Sequence, residues 1–216
     1  MFNFKAVVFD LDGTLIDTEK YFKIAWPKAF EHFGYKMTDE QYLYIRSLGK
    51  PFVQQTLKEF SGDPDFDYEK VVAFRTSIME DLIQKNGLQI KKGAVEFLSY
   101  LKEKGIIRAI ATASPVSRSE RYLNQVGLLQ YFDKIISAGD MKEGKPSPDV
   151  YLYAVKDLGL KPEECLAVED SPNGVRSAYR AGLKVAMIPD LSPCDEDTRK
   201  FLFAEKTDLS QLCDLF

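Results

Sequence analysis

Two aspartates, Asp10 and Asp12, stand two residues apart where a short apolar run, Ala6-Val7-Val8-Phe9, gives out and Gly13-Thr14 turns the chain. On an extended backbone, residues i and i+2 point the same way. Carboxylates so placed repel one another unless a cation lies nearby. Oxygen donors at that density suit Mg2+. Three further segments carry polar groups at the ends of strand-like runs: Thr112-Ala113-Ser114-Pro115, Gly144-Lys145-Pro146-Ser147-Pro148 and Glu169-Asp170-Ser171-Pro172. Lys145 lies between a glycine and Pro-Ser-Pro, more rigidity than a solvated lysine needs. Ser114 precedes a helix whose free N–H groups favour an anion. The single histidine, His32, would have to serve as the base of any Ser-His-Asp triad, and no second histidine exists for a zinc-protease motif. It lies near the end of a helix closed by Gly34, where a cation or polar group is favourable anyway. Chemistry here must come from carboxylates, lysine and hydroxyls.

For those groups to meet, the segments that carry them must be neighbouring strands. From Lys92 onward the pattern alternates: helix GAVEFLSYLKEK stopped at Gly105, strand IIRAIATA, a helix from Pro115 to Gly127, then strand KIISAG. A helix from Pro148 to Gly159, strand ECLAVED, a helix from Pro172 to Gly182 and strand KVAMIPD follow. Proline at the start and glycine at the end is the usual helix asymmetry. Alternating strands and helices imply a mostly parallel sheet with right-handed crossovers, which gathers the four polar ends on one edge. Between Thr18 and Asn86 only helical periodicity is found. Thr18 is expected to cap a helix through Phe33, and Thr38 a second; Gly49-Lys50-Pro51 and SGDPDFD break the chain again, giving about four helices. The fold class is therefore α/β: a Rossmann-like, mostly parallel core of residues 1–16 and 89–216, with an inserted α-helical cap of residues 17–88. The tail, FLFAEKTDLSQLCDLF, is expected to end in a short helix.

At 216 residues, 45% hydrophobic and 29% charged, the chain fits a globular protein with one sizeable core and a small second unit. A net charge of −4 disfavours nucleic acid or an anionic membrane as principal partner. No apolar run is long enough to span a bilayer. The opening MFNFK is not a basic-then-apolar leader, and Cys165, Cys194 and Cys213 form no C-x-x-C pair. Free thiols and a cytoplasmic monomer are expected.

The string AVVFDLDGTLID resembles the first motif, D-x-D-G-T, of the haloacid dehalogenase superfamily, and the resemblance runs nearly end to end. It implies that Asp10 is both nucleophile and metal ligand, forming an aspartyl phosphate. Asp12 would be general acid and then base, with its backbone carbonyl on the metal. Thr112, Ala113 and Ser114 would hold phosphoryl oxygens, Lys145 would neutralise charge, and Asp170 with Glu169 would complete the Mg2+ site. The cap would select a small, sugar-phosphate-like metabolite, with Lys50 and Arg75 as candidate contacts.

The function so implied is an Mg2+-dependent phosphomonoester hydrolase close to the β-phosphoglucomutase-like branch. A phosphosugar mutase is the alternative, but Phe22 stands where that enzyme has a cap histidine, and Phe52 where it has a phosphate-binding arginine. A receiver domain would carry its phosphorylated aspartate on a middle strand, and a dehalogenase would lack Asp12. A non-catalytic binding protein would have had no reason to keep Asp10, Asp12 and Lys145. The resemblance also points to a cis Lys145–Pro146 bond.

Overall fold

The computed structural model describes residues 3–216; Met1 and Phe2, which open the expected core, lie outside the described residues. The first strand, β1 (Ala6–Phe9), is buried along its whole length and lies between two later strands. Ala6 pairs with Ile107 of β2 (Ile107–Thr112) on one side and with Cys165 of β4 (Cys165–Glu169) on the other. Beyond them are β3 (Lys134–Ser137), β5 (Lys184–Met187) and β6 (Ala204–Glu205), in the order β3-β2-β1-β4-β5-β6, every pair parallel. The chain builds outward from β1 in one direction through β3, then crosses back to β4 and builds the other way. That reversal places a crevice at the carboxyl ends of β1 and β4, where open α/β sheets bind ligands.

Strand side chains alternate between the two faces. Val7 and Phe9 join one buried apolar cluster, and Ala6 and Val8 the other. The second face is rich in alanine (Ala6, Ala109, Ala111, Ala167), and Val150, Tyr151 and Ala154 of one helix with Val175 and Ala178 of another pack into its cluster. These two helices are the Pro148- and Pro172-led ones, observed as Asp149–Asp157 and Pro172–Arg180.

Four helices follow β1 before β2: α1 (Glu19–His32), α2 (Asp39–Ile45), α3 (Phe52–Ser61) and α4 (Tyr68–Asn86). Their buried residues, such as Ala25 and Phe30 of α1 and Met79 and Ile83 of α4, join the same cluster as Val7 and Phe9. Thr38 caps α2 through a capping box with Gln41. Thr18 precedes α1 but does not cap it; its hydroxyl is used elsewhere. His32 stacks on Phe74 with ring centroids 3.9 Å apart, a packing role.

Two short elements, β6 and a helix at Glu196–Arg199, were not anticipated. The tail closes as a 3-10 turn, Leu209–Leu215, with Leu209 and Leu212 fully buried. Lys145–Pro146 is cis, and so is Lys50–Pro51. No described helix is long and apolar enough to cross a membrane.

Candidate active site

Asp10 is the residue after β1, Thr112 ends β2, Glu169 ends β4 and Asp170 follows it; Lys145 arrives on the loop after β3. All five are buried. The Lys145 ammonium donates to Asp10 Oδ1 at 2.5 Å and to Glu169 Oε1 at 2.6 Å, and the Tyr151 hydroxyl donates to the same Glu169 oxygen at 2.6 Å. Carboxylate oxygens of Asp10, Glu169 and Asp170 lie within 4.8 Å of one another. Asp10 Oδ2 and Glu169 Oε2 are buried with no hydrogen-bond partner.

Three packed acids with two orphaned oxygens are costly unless something positive takes them up. Burial, with the charges of Glu169 and Asp12, pushes Asp10 up to about 8 despite the opposing lysine. Burial likewise raises Asp170 well above the carboxylate range, against the pull of Arg46. For Lys145, burial works to lower the pKa, but Asp10 and Glu169 outweigh it and hold the ammonium charged. A donor set of hard carboxylate oxygens, two of them unsatisfied, fits a hard divalent cation such as Mg2+.

Asp12 is held differently. Thr18 donates its hydroxyl proton to Oδ1 at 2.6 Å, and Ser114 donates to Oδ2 at 2.5 Å. Ser114 N–H is taken by Thr112 Oγ1 at 3.0 Å, so its backbone donor and hydroxyl both serve the protein. The Thr112 hydroxyl accepts in that bond and keeps its own proton to donate. Among the expected phosphoryl contacts, then, Thr112, Ala113 and Ser114 line the cavity over Asp10, with the Ser114 hydroxyl turned to Asp12, whereas Lys145 is fully buried against Asp10 and Glu169. Gly13, with φ +87°, turns the chain between Asp12 and Thr14; a Cβ there would lie 2.4 Å from Asp170 Oδ2.

The two cap candidates part company. Arg75, on α4, is buried at the cavity wall between the rings of Phe22 and Trp26. Lys50 is half exposed and ion-paired with Glu69 at 2.8 Å, outside the acid cluster. Its main chain matters more. Gly144 N–H donates to Lys50 O at 2.7 Å, and Gly49 N–H donates to Lys145 O at 2.8 Å. A Cβ built on Gly49 would fall 2.4 Å from the Gly144 Cα, so the two loops meet backbone to backbone. Phe52 lines neither of the two cavities described below.

Sequence reasoning missed Arg46, Arg118 and Tyr151. Arg46 follows α2, and its side chain is almost wholly buried. It donates to Glu19 Oε2 at 3.1 Å, to Ser192 Oγ at 2.9 Å and to Asp170 Oδ2, with Asp190 3.6 Å away. Tyr42 donates to the Glu19 carboxylate beside it. The available signal was a charged residue directly after the apolar stretch Tyr42-Leu43-Tyr44-Ile45, just before the Gly49 break. Arg118, on the helix Val116–Gln125, reaches the Ser114 hydroxyl.

A cavity of about 130 Å³ opens over Asp10, Asp12 and Thr112. A second, of about 760 Å³, shares Leu48, Val53, Tyr68, Arg75, Ala113 and Arg118 with it. The arrangement offers a carboxylate beside a fixed lysine, a second carboxylate oriented by hydroxyls, and a cleft between helices and sheet edge.

A family model for haloacid dehalogenase-like hydrolases matches residues 4–182. A phosphorylated carbohydrates phosphatase of Thermotoga maritima is 30% identical over 184 residues, covering 83% of this chain and 82% of the relative. Hexitol phosphatase A of Escherichia coli is 32% identical over 188 residues, covering 85% and 82%. The crystal structure of CbbY from Rhodobacter sphaeroides in complex with phosphate superposes with a TM-score of 0.81 at 27% identity, over 97% of this chain and 96% of that one.

Proposed function

Because the chain belongs to the haloacid dehalogenase-like hydrolases, as a phosphatase of the β-phosphoglucomutase-like branch, we propose that it hydrolyses the phosphomonoester of a small phosphorylated carbohydrate through an aspartyl phosphate on Asp10. The observation that carries this reading is Asp10 itself. One oxygen is fixed by Lys145 and the other is buried without a partner, at the floor of a cavity that Asp12 also lines. The T. maritima and E. coli relatives, named for phosphorylated carbohydrates and hexitols, support the substrate class.

In the first step an Asp10 carboxylate oxygen forms the bond to phosphorus as the bond to the leaving oxygen breaks, and Asp12 gives that oxygen a proton. In the second, Asp12 takes a proton from water, which attacks the phosphoryl group and releases Asp10 and inorganic phosphate. Lys145 and Thr112 steady the phosphoryl oxygens, with Ala113 at the same turn; Ser114 and Thr18 keep Asp12 aimed. Asp10, Glu169 and Asp170, with the backbone of Asp12, would hold Mg2+, which when bound neutralises the charge that otherwise keeps two anions apart. Residues 17–88 would act as the cap and residues 1–16 with 89–216 as the core, the Gly49–Gly144 approach closing one on the other.

Hydrolysis is favoured over phosphate migration because Asp12 is held by two hydroxyls, Ser114 of the core and Thr18 at the start of the cap segment, rather than by a cap histidine, and Phe22 and Phe52 supply no polar group. All of these side chains come from one chain, so a monomer suffices, and three free cysteines suit a reducing cytoplasm. The test is phosphate release from hexose and hexitol monophosphates with Mg2+. Release that disappears in Asp10→Asn supports the reading. Absence of release from every such ester, or an active Asp10→Asn protein, would overturn it.

A further inference from the structure

The cations of the site fall into two groups. Lys145 is paired with Asp10 and Glu169, and Arg46 with Glu19, Asp170 and Asp190. Arg75 and Arg118 form no ion pair with a carboxylate among the described residues. Arg75 is 7% exposed; its Nη1 reaches only Met79 Sδ, at 3.6 Å, and its Nε has no partner. Arg118 gives one N–H to Ser114, and its Nε is likewise buried and unpartnered. Both guanidinium groups rest against one ring: their central carbons lie 5.0 Å and 5.6 Å from the Phe22 centroid. Trp26 flanks Arg75 at 4.8 Å.

Aromatic faces soften the loss of water around a guanidinium but do not neutralise it. Burial, and then the charge of Arg118, bring Arg75 down to about 10, which still leaves it protonated at neutral pH. Two like charges are thus held together beside the transferring site, with unfilled donors and, among the described residues, no carboxylate in ion-pair contact with either. The transferred phosphoryl group already has Lys145, Thr112 and the donor set over Asp10. Both arginines line the small cavity and also the larger one leading out of it, where the rest of a substrate would lie.

Resting on the hydrolase reading above, we propose that Arg75 and Arg118 bind a second anionic group of the substrate, so that the preferred substrates are small phosphorylated carbohydrates that also carry a carboxylate or a second phosphate. Planar guanidinium forks match the oxygens of either group. Phe22 is the platform that sets their spacing.

The experiment compares kcat/KM, with Mg2+, for three esters: sorbitol 6-phosphate (no second anion), gluconate 6-phosphate (a carboxylate) and fructose 1,6-bisphosphate (a second phosphate). At least one anionic ester should exceed sorbitol 6-phosphate by about 10-fold or more, and which one it is identifies the group. In Arg75→Met and, separately, Arg118→Met, that ratio should fall by about 10-fold or more, mainly through KM, and Arg75→Lys should restore part of it. Arg118 is partly exposed, so its variant reports even if Arg75→Met fails to fold. Calorimetric binding of the same esters to Asp10→Asn protein supplies a readout that needs no turnover. Loss of catalysis with the binding preference intact would fault the hydrolase reading and spare this one. Equal loss for all three esters in the variants would assign the arginines to the transferred phosphoryl group and overturn the proposal, as would a wild-type enzyme and Asp10→Asn protein with no preference.

Discussion

Replacing Asp10 by asparagine should make the metal-free protein more stable while destroying its activity. In the folded state, burial and the neighbouring carboxylates push Asp10 up to about 8, although Lys145 pulls against them; in the unfolded chain the group ionises near 3.9. Between those two values the folded protein holds a proton that the unfolded chain has released, so stability falls as pH rises through this window. At pH 7 that difference corresponds to roughly 4 kcal/mol of destabilisation, at about 1.36 kcal/mol per unit. Asparagine removes this penalty but weakens the bond to Lys145, a charged hydrogen bond worth about 1.5–3 kcal/mol. The remainder, about 2 kcal/mol, is a rise in Tm of roughly 4–8 °C for a chain of this size. The assay is thermal unfolding by circular dichroism in chelator, from pH 5 to 8, on wild type and Asp10→Asn. The gap should widen with pH, and saturating Mg2+ should narrow it by stabilising wild type. An Asp10→Asn protein that melts below wild type in chelator at pH 7, or a gap that does not depend on pH, would refute the electrostatic reasoning.

Thr18→Val should lower kcat by about 10-fold or more with little change in KM, since it removes a charged hydrogen bond to Asp12 and touches nothing else in the cleft; an unchanged kcat in steady-state kinetics would end the orienting role. Arg46→Met should cost the metal-free protein about 3–5 kcal/mol in urea unfolding, because Glu19 and Asp170 lose a buried partner. Gly144→Ala should cut kcat/KM by about 10-fold or more at nearly constant Tm, as its methyl would meet the Gly49 backbone at 2.5 Å. A full exchange of metal into chelator should abolish turnover, and Mg2+ alone should restore it.

Three strand ends, at Asp10, Thr112 and Glu169-Asp170, were legible because each pairs an apolar run with polar residues at its close, a local pattern that a parallel sheet turns into a shared edge; Lys145 is not at a strand end as expected but on a loop eight residues beyond Ser137, where β3 closes. Asp10, Thr112, Glu169 and Asp170 meet there for that reason. Arg46 was not legible, because its partner Asp170 lies 124 residues away and nothing local marks the pair. Thr18 shows a different limit. A threonine before a helix can cap it or look outward, and here the nearby Asp12 carboxylate wins over the backbone N–H groups. Ser114 was expected to hold phosphoryl oxygens, but its hydroxyl goes to Asp12, a choice that depends on where Asp12 lands. The strand Ala204–Glu205 is too short to show a period.

The reciprocal hydrogen bonds between Gly49 and Lys145 and between Gly144 and Lys50 are made entirely by main chain. A contact of that kind is indifferent to what fills the cleft. If residues 17–88 close over the core as proposed, any guest small enough to allow the loops to meet would receive the same closing energy. Closure would then sort candidates by bulk and leave chemical choice to the cavity walls. On that reading, a few changes among wall residues would redirect the choice of ester without rebuilding either the main-chain contact or the acid cluster.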